Sequence, residues 1–423
     1  MKRVVITGMG AVSPIGLSQK EITEALWKGH SGICINQDYV DLKFRSSIAG
    51  IVKMDQLPPI DRRIKRHMGK GDTILLGYHA MLQAVADSGL PEGSISHPMT
   101  GCILGTGGPS TWDQTISSQE LYNQNQERPW QKCSGPLTVV PAMSSGLLAK
   151  VANDFCIKGD NFSITSACAT SAHAIGEASL KIAFGRQTIM FAGGADDCHP
   201  TKACGFEALG ALATIADGTN PAHASRPYDK NRNGFVDAAG GGVLVLEEYE
   251  HARKRNARIY GEVVGYGLSG DGDGDMTSPG FHGPLRAVQQ ALRGLHSRVR
   301  NVRYVNAHGT STKAGDVNEV RVIKAAFSRR DVTPWITSTK SLTGHALGGA
   351  GVLEAIYTIL MLRRNFIAAS ANIDEIDPEI VEMGMDKYIP RARIDNANVQ
   401  EALSNSFGFG GTNACLALRV RQI

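Results

Sequence analysis

Cys168 lies in the stretch SITSACATSAHAIGEASLKIAFG, where β-like sequence enters a turn of small residues and then a helical pattern. A thiol at such a junction meets unpaired backbone N–H groups and the positive end of a helix dipole, which favour thiolate. The Ala and Ser neighbours leave room for a substrate to approach. Taken alone, the segment also suits a buried structural cysteine. Two further segments add imidazoles: Ala307-His308-Gly309-Thr310-Ser311-Thr312 follows the strand-like run Val302–Asn306, and Lys340-Ser341-Leu342-Thr343-Gly344-His345 lies further on. Each puts a His at a glycine-rich turn beside hydroxyl groups, where the ring can face a cavity. The fourth segment, Ser404–Asn413, carries Phe407 and Phe409 in a glycine-rich loop. Such a loop can offer N–H groups to an oxyanion while its rings gate an apolar pocket.

Other motifs fall short of the chemistry they suggest. Gly8-x-Gly10 lacks the third glycine of a dinucleotide fingerprint, Ser13 standing there, and reads as a tight strand-to-helix turn. Asp229-Lys-Asn231-Arg-Asn233-Gly234 opens like a calcium loop, but position twelve is Gly240, so a polar turn is expected. Asp271-Gly-Asp273-Gly-Asp275 has Met276 at the glycine position and reads as a flexible surface loop. Cys198, His199 and Cys204 match no zinc spacing. His30, His97, His223, His251 and His296 sit beside turn or charged residues and are expected to be solvated.

The elements that position these residues alternate in type. Strand-like runs at Val4–Thr7, Gly101–Leu104, Thr188–Ala192, Gly241–Leu246 and Val302–Asn306 are separated by helical patterns such as Ile74–Ser88 and Pro284–Leu295. That alternation predicts an α/β protein with buried sheets. The charged stretch Glu247–Arg258 reads as a solvated helix leading into a strand at Ile259–Gly265, and is the expected junction of two parts. An internal repeat supports two parts. ITSACATSAHAIGEA, from Ile164, matches ITSTKSLTGHALGGA, from Ile336, at seven of fifteen positions without a gap. The alignment sets His173 against His345 and Cys168 against Lys340, which suggests a site between related halves.

Composition excludes several classes. The 423 residues are 42% hydrophobic and 20% charged, unlike a disordered chain, and a net charge of +4 gives no compositional case for nucleic-acid binding. The apolar run Ala355–Leu362 is far shorter than the roughly 20 residues of a membrane span. VVITGMGAV near the N-terminus is interrupted by glycines and reads as a strand instead of a signal peptide. Eight scattered Cys suggest reduced thiols and a cytoplasmic location.

The strings SACATSAHAIG, NAHGTSTKAGD, KSLTGHALGGAG and NSFGFGGTN occur in family order along the chain. Together they resemble the elongating β-ketoacyl-[acyl-carrier-protein] synthases of the thiolase fold. MKRVVITGMG, CATSAHAIG and IDRRIKRHM make the likeness to the synthase I type strongest. A thiolase is expected to have Cys in place of His345, and an initiating synthase Asn; chain-length factors lack the nucleophilic Cys.

The resemblance implies a five-layer α-β-α-β-α fold of two duplicated halves related by a pseudo-dyad, at 1–254 with the nucleophile and 255–423 with both catalytic His. It implies a homodimer with no bound cofactor or metal and no nucleic-acid or membrane partner. The substrates ride on the 4'-phosphopantetheine of acyl carrier protein. Cys168 is then the acyl-accepting nucleophile, with His308 and His345 donating hydrogen bonds to a malonyl thioester. Lys340 serves the malonyl half-reaction, paired with Glu319 or Glu354. The N–H groups of Cys168 and Phe409 hold the oxyanion, Phe407 and Phe409 gate the pocket, and Thr310 and Thr312 bind the pantetheine arm. Arg62, Arg63, Arg66 and Lys70 are the expected carrier-docking residues, extended by Arg128 and Lys132. A polyketide or polyene ketosynthase is the alternative within this class. An NAD-dependent oxidoreductase would need the N-terminal glycines to bind dinucleotide.

Overall fold

Residues 1–123, 137–272, 275–295 and 299–420 are described in the computed structural model; Arg128, Lys132 and His296 lie outside the described residues. Ten strands share one mixed sheet: β1 (Val4–Val12), β2 (Thr100–Gly105), β3 (Asn161–Ile164), β4 (Ile189–Asp196), β5 (Gly240–Glu248), β6 (Gly261–Gly270), β7 (Val302–Asn306), β8 (Trp335–Thr337), β9 (Glu401–Gly408) and β10 (Thr412–Arg419). Their spatial order is β8-β7-β9-β10-β6-β1-β5-β4-β2-β3. Read outward from the centre, the first five strands run 1-5-4-2-3 and the last five run 6-10-9-7-8. The pairing directions agree as well. β1–β5 and β5–β4 are antiparallel and β4–β2 and β2–β3 parallel, and their counterparts in the second half follow the same pattern. The two five-stranded arrays meet only through Val5–Glu262 and Ile6–Gly261.

Six helices complete the layers: α1 (Thr73–Ser88), α2 (Gly146–Asp154), α3 (Thr170–Ala183), α4 (His282–Arg293), α5 (Lys313–Phe327) and α6 (Ala350–Arg363). α3 and α6 pack on each other and on strands of both arrays, while α1 with α2, and α4 with α5, cover the outer faces. α6 is buried all round from Ala350 to Leu362, as a helix sealed between the two strand arrays must be. One apolar core surrounds α3 and α6, and two others lie beneath the outer helices. This is the five-layer duplicated fold that the family resemblance implies.

The ungapped repeat is misaligned over its second part. β3 ends at Ile164 and α3 begins at Thr170, with five residues between, 165–169. β8 ends at Thr337 and α6 begins at Ala350, with twelve between, 338–349. The 3₁₀ turn Ala167–Ala169 before α3 corresponds to Leu347–Gly349 before α6, and each turn opens on a positive φ, 48° at Ala167 and 45° at Leu347. Cys168 therefore faces Gly348 in the pseudo-symmetry, not Lys340. Lys340 and His345 belong to an excursion that the first half lacks.

Three further expectations change. Gly8 and Gly10 lie inside β1 instead of at a turn. A Cβ on Gly10 would stand 1.9 Å from the Ala80 carbonyl oxygen, so these glycines admit α1 against the strand. The junction helix is short, Tyr249–Lys254, and Glu247 is fully buried in β5. Its carboxylate accepts from Arg255 (2.7 Å) and Thr7 (2.8 Å) and pairs with His251 (2.6 Å), so His251 is not simply solvated. The Asp229–Gly234 turn is polar, as expected, and Arg232 anchors it, wholly buried and donating to Asp377 (2.8 Å) and to the carbonyls of Asp229, Thr312 and Lys313.

Candidate active site

The thiol is presented by local hydrogen bonding. Thr170 Oγ1 accepts from the Ser166 N–H (2.8 Å) and donates to the Ala167 carbonyl (2.7 Å), which folds the turn before α3. Cys168 thus sits at the entry to a 14-residue helix, with its own N–H and that of Phe409 directed at the sulfur. Burial nevertheless pushes the thiol up to about 12, and the Lys340 charge and the two N–H groups only partly oppose it. Burial therefore works against the thiolate that the helix end favours, because the turn lies inside the fold between the two arrays.

His308 follows the end of β7. Its N–H donates to Glu319 Oε1 (2.9 Å) and the Gly309 N–H to Glu319 Oε2 (2.8 Å), while Asn405 donates to Oε1 (2.9 Å). One carboxylate on α5 thereby fixes the turn that aims the imidazole. His345 is pinned through its backbone, its N–H donating to Val236 and its carbonyl accepting from Ala238. The two rings meet edge-on, 5.2 Å apart. Ring nitrogens of both His and Cys168 Sγ all lie within 4.8 Å of one another, and among the described residues this is the one Cys/His/Asp/Glu group close enough to share a metal ion. Burial, reinforced by the nearby Lys340 charge, holds both imidazoles well below 6.5, so both rings are neutral at physiological pH. Of the two proposed partners, Lys340 bonds Glu354; Glu319 holds the His308 turn instead. Burial lifts Glu354 to about 7 in spite of Lys340.

Cys168, His308, His345 and Glu319 line one cavity of about 490 Å³. Phe407, Phe409, Thr310 and Thr312 line it too, with the two threonine hydroxyls 3.1 Å apart. The exposed Met276 and Phe409 are also in its wall, so the space reaches the surface. Residues from both halves build it. The Asp271 loop, expected to be a free surface loop, is part of the wall: Asp271 and Met276–Pro279 line the cavity, and Asp271 accepts from Gly280 (3.1 Å) and Asn413 (2.7 Å). The sequence reading also missed Lys202, Phe206, Phe235 and Thr111 in this wall. Cys198 and His199 have structural roles, His199 capping the helix Pro200–Leu209.

Arg62, Arg63, Arg66 and Lys70 are exposed and lie in or just after the short helix Arg62–Lys65. The segment is tied to the cavity wall, because the Lys70 and Gly71 N–H groups donate to Asp113, two residues beyond the lining residue Thr111.

Two family descriptions match the chain: β-ketoacyl synthase N-terminal domain over residues 1–252 and β-ketoacyl synthase C-terminal domain over 260–374. The chain belongs to the β-ketoacyl synthase family. It is 44% identical over 420 residues to 3-oxoacyl-[acyl-carrier-protein] synthase 1 of Escherichia coli K12, with 99% of each chain covered. A solved β-ketoacyl synthase from Burkholderia phymatum covers both chains fully, at 34% identity and a TM-score of 0.90. A type II polyketide ketosynthase, solved with its acyl carrier protein and a bound hexaketide, matches at 27% identity and a TM-score of 0.87, covering 99% of this chain and all of that one. Among the described residues no helix is long and apolar enough to cross a membrane.

Proposed function

We propose that the protein is an elongating 3-oxoacyl-[acyl-carrier-protein] synthase of the synthase I type. It joins an acyl group held on Cys168 to the two-carbon unit of a malonyl thioester, releasing carbon dioxide. The observation that carries this reading is the convergence of one thiol and two neutral imidazoles within 4.8 Å in a single cavity.

Cys168 Sγ attacks the carbonyl of an acyl thioester carried by acyl carrier protein. The C–S bond to the carrier breaks, and the thiol proton leaves with the carrier sulfur. The Cys168 and Phe409 N–H groups, already directed at this position, hold the oxyanion of the tetrahedral intermediate. The malonyl thioester then binds with its carbonyl oxygen between His308 and His345. Because both rings stay neutral, each can donate one N–H to that oxygen as the C–CO₂ bond breaks and charge moves onto it. The resulting carbanion attacks the acyl-Cys168 carbonyl and expels the cysteine sulfur. Lys340, whose charge already favours the ionised thiol, steadies that leaving group.

Thr310 and Thr312 hold the pantetheine arm, Phe407 and Phe409 gate its approach, and the Arg62–Lys70 segment receives the acidic carrier. The enzyme works as a homodimer in the cytoplasm without a bound cofactor. The two structural halves serve as its domains, one bringing Cys168 and the other both His.

Acyl-carrier protein and malonyl-carrier protein supplied together should give a 3-oxoacyl-carrier product two carbons longer with wild type and none with Cys168→Ala. Equal product from the variant would refute the assignment.

A further inference from the structure

The two N–H groups directed at the reacting sulfur come from different halves of the chain. Cys168 supplies one from the turn before α3, and Phe409 the other from the loop joining β9 to β10. The two segments lie close together: a Cβ on Gly408 would stand 3.0 Å from the Ser166 carbonyl oxygen and 3.2 Å from the Cys168 nitrogen. One buried imidazole spans them. His173, on α3, is 9% exposed, with Nε2 3.3 Å from the Asn413 carbonyl oxygen and Nδ1 2.7 Å from Ser166 Oγ. A carbonyl can only accept, so Nε2 carries the proton. In the neutral ring Nδ1 then accepts from the Ser166 hydroxyl. Burial holds this imidazole below 6.5, which keeps that arrangement at physiological pH.

Each end of the bridge sits where it controls a donor. Ser166 opens the turn that carries Cys168: its N–H donates to Thr170 Oγ1, and its carbonyl accepts from the Ala169 N–H (3.1 Å). The next residue, Ala167, has a φ of 48°, a left-handed conformation that a residue with a Cβ keeps only when its surroundings hold it there. Asn413 pairs with Phe407 across the β9–β10 ladder, at the foot of the loop that carries Phe409. The pseudo-symmetry sharpens the contrast. With Cys168 facing Gly348, the position on α6 that matches His173 is Leu353, buried in the apolar core around the two helices. A leucine meets the packing needs of that helix position; only a side chain with a donor and an acceptor can join the two segments.

We propose that His173 is a positioning residue for acyl transfer, holding the Cys168 turn and the Phe409 loop at the separation that puts both N–H groups on one oxyanion. This rests on the proposed acyl transfer to Cys168 and deepens it. His173 acts through the segments it joins and not on the substrate.

The test compares three reactions in wild type, His173→Phe and His173→Gln. Acyl loading of Cys168 from acyl-carrier protein, followed by intact mass, passes through the oxyanion. Alkylation of Cys168 by iodoacetamide forms no oxyanion, and carbon dioxide release from malonyl-carrier protein uses His308 and His345. His173→Phe keeps a ring in place but makes neither hydrogen bond, and loading should fall about 10- to 100-fold. Alkylation and decarboxylation should stay near wild type. His173→Gln keeps a donor for Asn413 and an acceptor for Ser166, and should recover most of the loading rate. Ser166→Ala deletes the bond at the turn without altering α3; it should lower loading in the same selective way, and it decides the matter where His173→Phe folds poorly. Loading at the wild-type rate by both His173→Phe and Ser166→Ala would overturn the assignment of His173 while leaving Cys168 as the nucleophile. Equal losses in all three reactions would overturn it too, as the mark of a general structural role. Failure of wild type to load from any acyl-carrier protein would overturn the acyl-transfer reading itself.

Discussion

Glu319 offers the sharpest test of how the site is built, because one buried carboxylate on α5 holds the His308 turn. Its two oxygens accept three N–H groups, from His308, Gly309 and Asn405, at 2.8–2.9 Å. In Glu319→Gln the amide oxygen can keep the His308 and Asn405 donors, but the new NH₂ then faces the Gly309 N–H. A buried N–H left without an acceptor costs about 1–3 kcal/mol. At about 1.4 kcal/mol per decade, that becomes a roughly 5- to 150-fold effect if the turn shifts to relieve it. The shift falls on the aim of His308, so the loss belongs to the malonyl half-reaction. Cys168 hangs on β3 and α3 through Thr170 and does not share the support. Two assays on one preparation separate these: acyl loading of Cys168 by intact mass, and carbon dioxide release from malonyl-carrier protein. Loading should stay near wild type while decarboxylation falls within that range. An equal loss in both half-reactions, or unimpaired decarboxylation, would refute the reasoning.

Four other outcomes follow from the same geometry. Because burial holds His308 and His345 well below 6.5, decarboxylation should stay level as pH falls through 6.5; a fall centred there would contradict the neutral-donor account. The unfolded chain takes up those protons near 6.5 and the folded chain resists them, so each ring gives stability that is full above 6.5 and lost as pH drops below it. His345→Asn should therefore lose less stability than wild type on acidification, read as denaturant midpoints. Gly348→Ala should lower the melting temperature and slow both half-reactions, since its Cβ would lie 2.2 Å from the Gly107 N and 2.7 Å from Asp196 Oδ2; wild-type melting and rates would show that the two turns are not so tightly joined. Charge reversal at Arg62, Arg63 and Arg66 should raise KM for carrier-bound substrates far more than for small thioesters, and added salt should narrow the difference between wild type and variant; equal effects on both substrate types would exclude docking there.

The sequence carried much of this account, for physical reasons that can be traced. The buried strands announce themselves as short apolar runs, and the thiol, imidazole and Phe–Gly strings each stand at the end of an element, where side chains are free to converge. The symmetry was only half legible. Gly, Ala and Ser recur at tight turns, so similar strings aligned Cys168 with Lys340 across a gap that only the strand and helix ends reveal. Burial was less legible still. Nothing local to Cys168 says that its turn lies between the two strand arrays, where desolvation opposes the helix end and pushes the thiol up. The choice of Glu354 for Lys340, and of Glu319 for the His308 turn, depends on how α5 and α6 cross the strands. Lys202 and the Asp271 loop reach the cavity from distant segments, so no spacing could place them there.

The central claim is that Cys168 holds the acyl group which the malonyl carbon then takes. The most direct measurement isolates acyl-loaded enzyme, adds malonyl-carrier protein labelled at its central carbon, and follows the Cys168 peptide and the product together by mass. The account predicts that the acyl mass leaves Cys168 as carbon dioxide is released, and appears with the label in a single 3-oxoacyl-carrier product. Acyl mass remaining on Cys168 while labelled 3-oxoacyl product accumulates would contradict it.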